Sequence, residues 1–169
     1  MAKSLEKCLG KKDKLDISSL QEQEKMLVFD SFSNEDAYEL GTILYEIAKK
    51  DHLPVTIDIT RSSQQLYHVA LSGTTLDNDE WIKGKTKVVM RFGHSSRLME
   101  KYLSENGDTM EEKYLLSSSE YRAHGGSFPI IIRDTGVIGT ITVSGLVSEE
   151  DHMLVIRGIQ KFMGRKKKN

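Results

Sequence analysis

The sequence predicts an α+β fold in which helices pack on both faces of a mainly antiparallel sheet of about five strands. Two strand pairs carry this prediction. Residues 55–60 alternate apolar and polar side chains, and a short polar turn separates them from a second β-rich run at residues 66–71. Residues 128–133 and 137–143 form a similar pair around the turn Asp134-Thr135-Gly136. With helical segments before, between and after these hairpins, the order of elements predicts an α-β-α sandwich of the profilin-like kind.

The first part of the domain combines a short helix and a strand. Ser19 stands three residues before Glu22, which is the spacing of a capping box, and the pair predicts a helix within residues 16–25. Residues 26–32 are rich in apolar and aromatic side chains and are too few for a helix. They are interpreted as a further strand of the sheet.

The clearest helix follows directly. Ser33 is a favourable N-cap residue, and Asp36 occupies the third helical position. Apolar side chains then recur at steps of three and four residues and form one face: Ala37, Leu40, Leu44, Ile47 and Ala48. Pro54 ends the helix, because the residue before a proline avoids the α conformation.

Four later segments also have helical spacing: residues 77–92, 95–106, 109–116 and 148–163. In the first of them one face is formed by Trp81, Lys85, Val88 and Phe92. Gly84 weakens that helix by about 1 kcal/mol relative to alanine, so it predicts a close packing contact. The last segment begins with Ser148 as its expected cap and continues with acidic residues, which suit a helix N-terminus.

The composition fits one globular domain and argues against several classes of protein. The 169 residues carry 24 basic and 25 acidic side chains, a net charge of −1, which argues against nucleic acid as a partner. A single cysteine, Cys8, excludes a disulfide framework and a cysteine-rich zinc site. No apolar run approaches the ~20 residues of a membrane span, and no secretory signal is recognised, so we expect a cytoplasmic protein.

The distribution of charge predicts three regions along the chain. Residues 1–16 are expected to form a flexible charged arm, residues 17–164 the single domain, and residues 165–169 a basic tail. Four charges at a terminus are usually solvated, so this tail predicts no nucleic-acid contact.

Two glycine-containing turns are the candidate ligand site. His124-Gly125-Gly126 precedes one strand of the second hairpin, and Ser144-Gly145 follows the other, so the two turns are expected to meet at one end of the sheet. The last helix starts at the same end and carries Asp151 in its first turn. Convergent polar groups at the rim of a sheet are a common ligand-site geometry. The predicted ligand-binding residues are His124, Gly125, Gly126, Ser144, Gly145 and Asp151, with His94 of another glycine-flanked loop as a further candidate.

Structural roles explain the same residues equally well. Glycines permit tight turns, Asp151 can cap its helix, and Ser144 can bond its own turn. Thr142 breaks the Gly-x-Ser-x-Gly pattern that a serine hydrolase would need around Ser144. The histidines show no metal-ligand spacing, and the sequence assigns no catalytic residue and no metal site. Four basic residues of the central helices are interpreted as a solvated helix face: Lys85, Arg91, Arg97 and Lys101.

Taken together, the two turns and the strands beside them resemble a known family. Residues 125–130 match a Gly-Gly-x-Pro-Ile entry with one inserted residue, and residues 136–145 match a Gly-x-(Ile/Val)-Gly strand with a Val-Ser-Gly corner. Asp151-His152 supplies the Asp that follows this corner. This pattern resembles the haem-degrading-domain family, which includes GlcG-like proteins and the C-terminal domain of some corrinoid adenosyltransferases. Several further features resemble the small uncharacterised-protein (UPF) branch of that family: Trp81, residues 91–96, Tyr121 and the inserted Phe128.

The resemblance, which covers residues 37–163, implies an α-β-α sandwich that assembles into homo-oligomers. In some relatives it also implies haem or corrinoid binding. It implies no established catalysis, so an enzyme is the least favoured interpretation of this chain. Relatives that ligate a tetrapyrrole through an axial histidine carry it on the helix corresponding to residues 34–50. Here that helix has no histidine, and His52 at its end is the nearest substitute.

Three functional classes therefore remain open. The first is an oligomeric protein that binds a small planar ligand of the tetrapyrrole type, with haem as the cofactor that the resemblance suggests. The second is a non-catalytic oligomeric interaction module or adaptor with a protein partner, in which the glycines serve packing. The third is an enzyme that processes haem or another cofactor. The fold does not choose among them, because one fold hosts many functions.

Overall fold

Six helices and four strands make up the part of the chain that the computed structural model describes, residues 15–166. In chain order they are α1 (Ile17–Met26), α2 (Asn34–Lys50), β1 (Thr56–Arg61), β2 (Gln64–Ala70), α3 (Leu76–Phe92), α4 (Ser96–Asn106), α5 (Met110–Tyr114), β3 (Ser127–Ile132), β4 (Gly136–Ser144) and α6 (Ser148–Lys166). The predicted α+β class and its α-β-α layering are confirmed, since α2 and α6 pack on one face of the sheet and α3 packs on the other.

The strands form one antiparallel sheet in the order β2-β1-β4-β3. Both predicted hairpins are present, as β1–β2 and β3–β4, and the central pair β1–β4 joins them with Thr56 opposite Ser144. Because β4 is an inner strand, its C-terminal end lies in the middle of one rim of the sheet. That position brings the N-terminal ends of α3, β3 and α6 close to Ser144.

The sheet has four strands rather than about five, because residues 26–32 make only a single bridge, from Phe29 to Ile132. The reason is the position of two aromatic side chains. Phe29 and Phe32 are both buried against Phe162, with ring centroids 6.2 and 6.5 Å from its ring. A regular strand places residues three apart on opposite faces, so this segment cannot continue as a strand and bury both rings.

Local capping explains where the helices start. Ser33 is the predicted N-cap of α2, and with Asp36 it forms a capping box, with the Asp36 N–H 3.1 Å from Ser33 Oγ and the Ser33 N–H 2.8 Å from Asp36 Oδ2. The cap of α1 is Asp16 and not Ser19, whose N–H donates to Asp16 Oδ1 over 2.7 Å. Asp16 therefore belongs to the folded unit, while residues 1–14 of the predicted arm lie outside the described residues.

The C-terminal helix also departs from the expected pattern. α6 continues to Lys166, past the expected domain end at residue 164, and residues 167–169 of the predicted tail lie outside the described residues. Ser148 is itself helical, and the backbone N–H groups of Glu150 and Asp151 donate to the carbonyl of Val147. The Ser148 hydroxyl is thus available for contacts across the rim of the sheet.

The two faces of the sheet differ in chemistry. The face under α2 and α6 is apolar and supplies the centre of the hydrophobic core: Ile57, Ile59, Phe128, Ile130, Ile141 and Val143. The alternating positions on the opposite face, under α3, are polar and also buried: Thr56, Asp58, Ser127, Thr140, Thr142 and Ser144. Hydroxyl contacts bind α3 to this face, with Thr86 Oγ1 3.3 Å from Thr142 Oγ1. The polar face ends at the rim that carries the two glycine turns.

Candidate functional site

A cavity of about 260 Å³ opens at the C-terminal end of β4, between the N-terminal halves of α3 and α6. Ten residues line it: Asp77, Asn78, Trp81, Lys85, His124, Ser144, Gly145, Leu146, Ser148 and Asp151. Most of these side chains are polar or charged. Four of the predicted ligand-binding residues lie on this cavity, namely His124, Ser144, Gly145 and Asp151, and their assignment to a ligand stays a prediction.

The two glycine turns are in direct contact. The Val143 N–H donates to the Gly126 carbonyl over 2.7 Å, which joins the end of β4 to the loop before β3. Gly126 has a φ of +124°, and a Cβ built there would lie 2.4 Å from the Val143 carbonyl oxygen. A Cβ on Gly125 would lie 2.2 Å from the Ser148 carbonyl oxygen. Both glycines are therefore needed for close approach. They are not among the residues that line the cavity, and they contact Ser148, Lys85 and Asp151, which do line it.

A buried ion pair lies at the floor of the cavity. Lys85 Nζ is 2.8 Å from Asp151 Oδ2 and 3.1 Å from the Val143 carbonyl oxygen, and the two charged side chains are 4% and 2% exposed. Asp151 also accepts the backbone N–H groups of Leu146 and Gly145, over 3.0 and 3.4 Å. Burial lowers the pKa of Lys85 and raises the pKa of Asp151, and in each case the attraction of the partner opposes part of the shift.

Lys85 was interpreted from the sequence as part of a solvated face, and that interpretation is wrong. The signal that could have found it was present, because Lys85 falls within the apolar stripe of its helix. A lysine is almost never fully buried unless it is paired, so a lysine in such a stripe indicates a buried partner. Arg97 also departs from a solvated position, since its guanidinium is held by Glu100, Ser148 and Glu149.

Glu100 of α4 anchors the loop that carries His124. Its Oε2 accepts from the Gly125 N–H over 3.1 Å, from Arg97 over 2.9 Å and from the Ser148 hydroxyl, while Oε1 is 3.6 Å from His124 Nδ1. Burial acts to raise the pKa of Glu100, but hydrogen bonds from His124, Ser148 and Arg97 outweigh it and lower the pKa to about 2. Glu100 is therefore a carboxylate that ties α4, the loop and α6 together.

Trp81 and His124 form the outer wall of the cavity. Their rings meet edge to face, with centroids 5.2 Å apart and an interplanar angle of 82°. On Trp81 the Arg122 guanidinium lies 4.4 Å from the ring centroid. The predicted packing role of Gly84 is confirmed here, because a Cβ on Gly84 would lie 2.6 Å from Arg122 Cγ and the Arg122 N–H donates to the Gly84 carbonyl.

His94 lies elsewhere, and its prediction as a cavity residue is wrong. Its Nδ1 is 2.8 Å from Glu24 Oε2, and the same carboxylate accepts the Ser95 N–H over 2.7 Å. The hydrogen bond that His94 makes to the Glu24 carboxylate raises the pKa of His94, against the effect of partial burial. His94 therefore helps to attach α1 to the start of α4, a role that a glycine-flanked position in the sequence does not reveal.

Between residues 15 and 166, the His, Cys, Asp and Glu side chains form no group of three or more that could hold a metal ion. In the same part of the chain, no helix has both the length and the apolar composition to cross a membrane.

The fold and the rim cavity define an α-β-α sandwich with the glycine-turn signature of the haem-degrading-domain class. Residues 32–160 match the family described as "Haem degrading protein HbpS-like", and the chain belongs to this family. It is 47% identical over 148 residues to a UPF0303 protein of Streptomyces coelicolor, which covers 88% of this chain and 94% of that protein. The predicted resemblance, including its UPF branch, is confirmed.

Solved structures agree with this assignment. The crystal structure of Ybr137w protein is 34% identical, covers 96% of both chains and superposes with a TM-score of 0.82. The crystal structure of a PduOC:heme complex covers 77% of this chain and 94% of that chain, with 19% identity and a TM-score of 0.63. At that identity the second likeness supports the fold alone.

Proposed function

We propose that this protein binds a small polar ligand in the cavity between α3, β4 and α6. The observation that carries the proposal is the convergence of four hydrogen-bonding side chains from three parts of the fold, namely β4, α3 and the loop before β3: Ser144, Trp81, His124 and Lys85. Across residues 15–166, the first two have no hydrogen-bond partner. A few polar groups in a preformed concave site are what orients a bound small molecule.

The position of Glu100 supports the same proposal, because it prepares His124 for a ligand. With His124 Nδ1 directed at the carboxylate, 3.6 Å away, Nε2 is left for a molecule in the cavity. The contact with Trp81 limits the rotation of the imidazole. A binding group that is held in place before the ligand arrives loses less entropy on binding.

The lining residues do not fit a tetrapyrrole. Only Trp81 and Leu146 offer a broad apolar surface, and the volume of about 260 Å³ is below the range of roughly 300–1,000 Å³ for sites of drug-sized molecules. The helix α2, where the family resemblance would place an axial histidine, carries none. The lining residues therefore favour a small polar ligand over the planar ligand of the tetrapyrrole type that the sequence predicts. We assign no role to haem here.

Native mass spectrometry of the protein purified from its own source tests the proposal. We expect a small molecule to be retained and then released on denaturation. The substitution His124→Ala should weaken its retention about tenfold and leave the melting temperature within about 2 °C, because an exposed loop residue contributes little to stability.

His94→Ala is the matched control, since it removes a half-exposed histidine outside the cavity and should keep the ligand. Wild-type protein without a retained molecule under these conditions would count against the proposal. A Soret band on addition of haemin that disappears in His124→Ala would replace the small polar ligand with a tetrapyrrole.

Assembly into homo-oligomers is a second proposed property, and the open edge of the sheet supports it. Among the described residues, the strand β2 pairs only with β1, so within this part of the chain its outer backbone groups are free to bond a second copy. Tyr38 of α2 stands beside this edge with 68% of its surface exposed, and its ring lies 6.5 Å from that of Tyr67 in β2. An exposed aromatic side chain next to an unpaired strand is typical of a subunit interface.

A further inference from the structure

Lys85 differs from every other lysine in residues 15–166, because it alone is buried. Lys85 is one of the residues that line the cavity, and its Nζ meets two acceptors, Asp151 Oδ2 and the Val143 carbonyl. An ammonium has three N–H groups, so one of them has no acceptor in this arrangement. Lys85 thus belongs both to an ion pair and to the lining of the cavity.

The fold keeps the space around this nitrogen open. A Cβ on Gly126 would lie 2.7 Å from Lys85 Nζ, so any side chain at that position would crowd the amine. The nearby Ser144 hydroxyl and the His124 imidazole line the same cavity and can bond an oxygen atom of a molecule held beside Lys85. The amine therefore faces a site with hydrogen-bonding groups for a carbonyl oxygen.

The ion pair can exchange its proton without moving any heavy atom. Along the 2.8 Å contact, transfer from Lys85 to Asp151 gives a neutral amine and a neutral carboxylic acid. Burial favours this neutral form, since it lowers the pKa of Lys85 and raises that of Asp151. A neutral amine is the nucleophilic form of lysine.

We infer that Lys85 forms an imine with a small aldehyde or ketone in the cavity, with Asp151 as the proton donor and acceptor. This inference rests on the proposed function, because the carbonyl compound must enter the same cavity. It adds the chemical class of the ligand and the atom that it bonds.

Imine formation at Lys85 conserves atoms and charge. Lys85 gives a proton to Asp151, and the free amine attacks the carbonyl carbon. A second proton of the nitrogen passes to the former carbonyl oxygen and gives a neutral carbinolamine. Asp151 then gives its proton to the same oxygen, and the C–O bond breaks to release water. The product is a protonated imine, which stays paired with the Asp151 carboxylate, and the reaction needs no oxidant or reductant.

Reductive methylation with formaldehyde and cyanoborohydride tests the inference on the intact protein. Formaldehyde is the probe because it is the smallest aldehyde, and cyanoborohydride traps the imine as a methylamine that peptide mass spectrometry assigns to one lysine. Lys87 is the internal control, since it lies on the same helix, is 49% exposed and contacts Glu120 over 3.0 Å. At pH 7 we expect Lys85 to be methylated at least about tenfold faster than Lys87, because each unit by which a lysine pKa falls gives about tenfold more free amine.

The pH dependence gives the second readout. Between pH 7 and 9 the ratio of the Lys85 rate to the Lys87 rate should fall, because burial lowers the pKa of Lys85 and its free amine is already present at lower pH. A Lys85 that reacts more slowly than Lys87 at pH 7, or that follows the same pH dependence, would overturn the inference. A retained ligand in native mass spectrometry together with unreactive Lys85 would leave the proposed binding intact and reject the imine alone.

Discussion

Single residues decide how closely the parts of this cavity approach one another. Gly126 is the clearest case, because its carbonyl bonds Val143 while its missing side chain leaves room for Lys85 and Asp151. The atoms around it come from three different elements, β4, α3 and α6. A methyl group added at Gly126 would therefore disturb contacts with all three elements.

The substitution Gly126→Ala should lower the free energy of unfolding by about 2 kcal/mol or more, since it combines an unfavourable φ with a steric clash. The control is Gly136→Ala, where φ is +105° but a Cβ would meet nothing within 4 Å. Urea unfolding of the two variants separates the effect of backbone strain, which both variants have, from that of the steric clash, which Gly126→Ala alone has. Equal losses of stability would show that the contacts of Gly126 do not matter.

His152 is a second residue whose position has a measurable consequence. It is fully buried, with Nε2 2.8 Å from Gln23 Oε1, and burial together with the charge of Arg97 lowers its pKa to about 3. In the unfolded chain its pKa is near the ordinary value of 6.5. Below that pH the unfolded chain binds a proton that the folded chain refuses, so His152 makes stability fall as the pH drops from 6.5 towards 3.

Between pH 6.5 and 5 this effect amounts to about 2 kcal/mol, from 1.36 kcal/mol per pKa unit. His152→Gln removes the titrating group, and its free energy of unfolding should therefore depend less on pH in this window than that of the wild type. Urea unfolding at pH 6.5 and pH 5 provides the comparison. An equal loss of stability between pH 6.5 and pH 5 in the wild type and in His152→Gln would show that His152 does not cause the pH dependence.

At the scale of elements, the carboxylate of Glu100 joins α4, the loop before β3 and α6. This carboxylate has a folded pKa of about 2, against 4.5 for the ordinary group. Its stabilising effect is complete above pH 4.5 and is lost as the pH falls through about 2. The difference corresponds to about 3 kcal/mol, as an order of magnitude for a side chain that is mostly buried.

Glu100→Gln should remove that stabilisation at neutral pH and flatten the acid limb of the stability curve between pH 4.5 and 2. Glu105→Gln, an exposed position on the same helix, is the control and should change neither. Thermal unfolding across this pH range measures both effects. An acid limb that Glu100→Gln leaves unchanged would contradict the anchoring role.

At the scale of the whole molecule, the open edge of β2 is the feature that bears on assembly. Tyr38→Glu should turn the proposed homo-oligomer into smaller species, because a buried charge without a partner destabilises an interface. Light scattering after size-exclusion chromatography gives the mass. Met90→Glu changes an exposed apolar residue of α3 in the same way and should keep the oligomer. A monomeric wild-type protein, or an unchanged mass in Tyr38→Glu, would reject this interface.

Much of the fold could be predicted from local patterns. The capping box at Ser33, the period-two alternation of residues 55–60 and the turn at residues 134–136 each depend on neighbours within a few positions. The exception in the sheet was the segment at Phe29. Its composition suits a strand, but the core takes two side chains three positions apart, and no local pattern shows that preference.

In the candidate site, too, some features follow from local patterns and others do not. Hairpin geometry was enough to place the two glycine turns and Asp151 at one rim of the sheet, because the start of one strand lies beside the end of the next. No local pattern showed that Lys85 and Glu100 meet them there or that His94 does not. Lys85 and Asp151 are 66 positions apart. Helical periodicity tells which face a side chain occupies, but the partner of that face depends on how helices pack across the sheet, and this packing is set by the whole core at once.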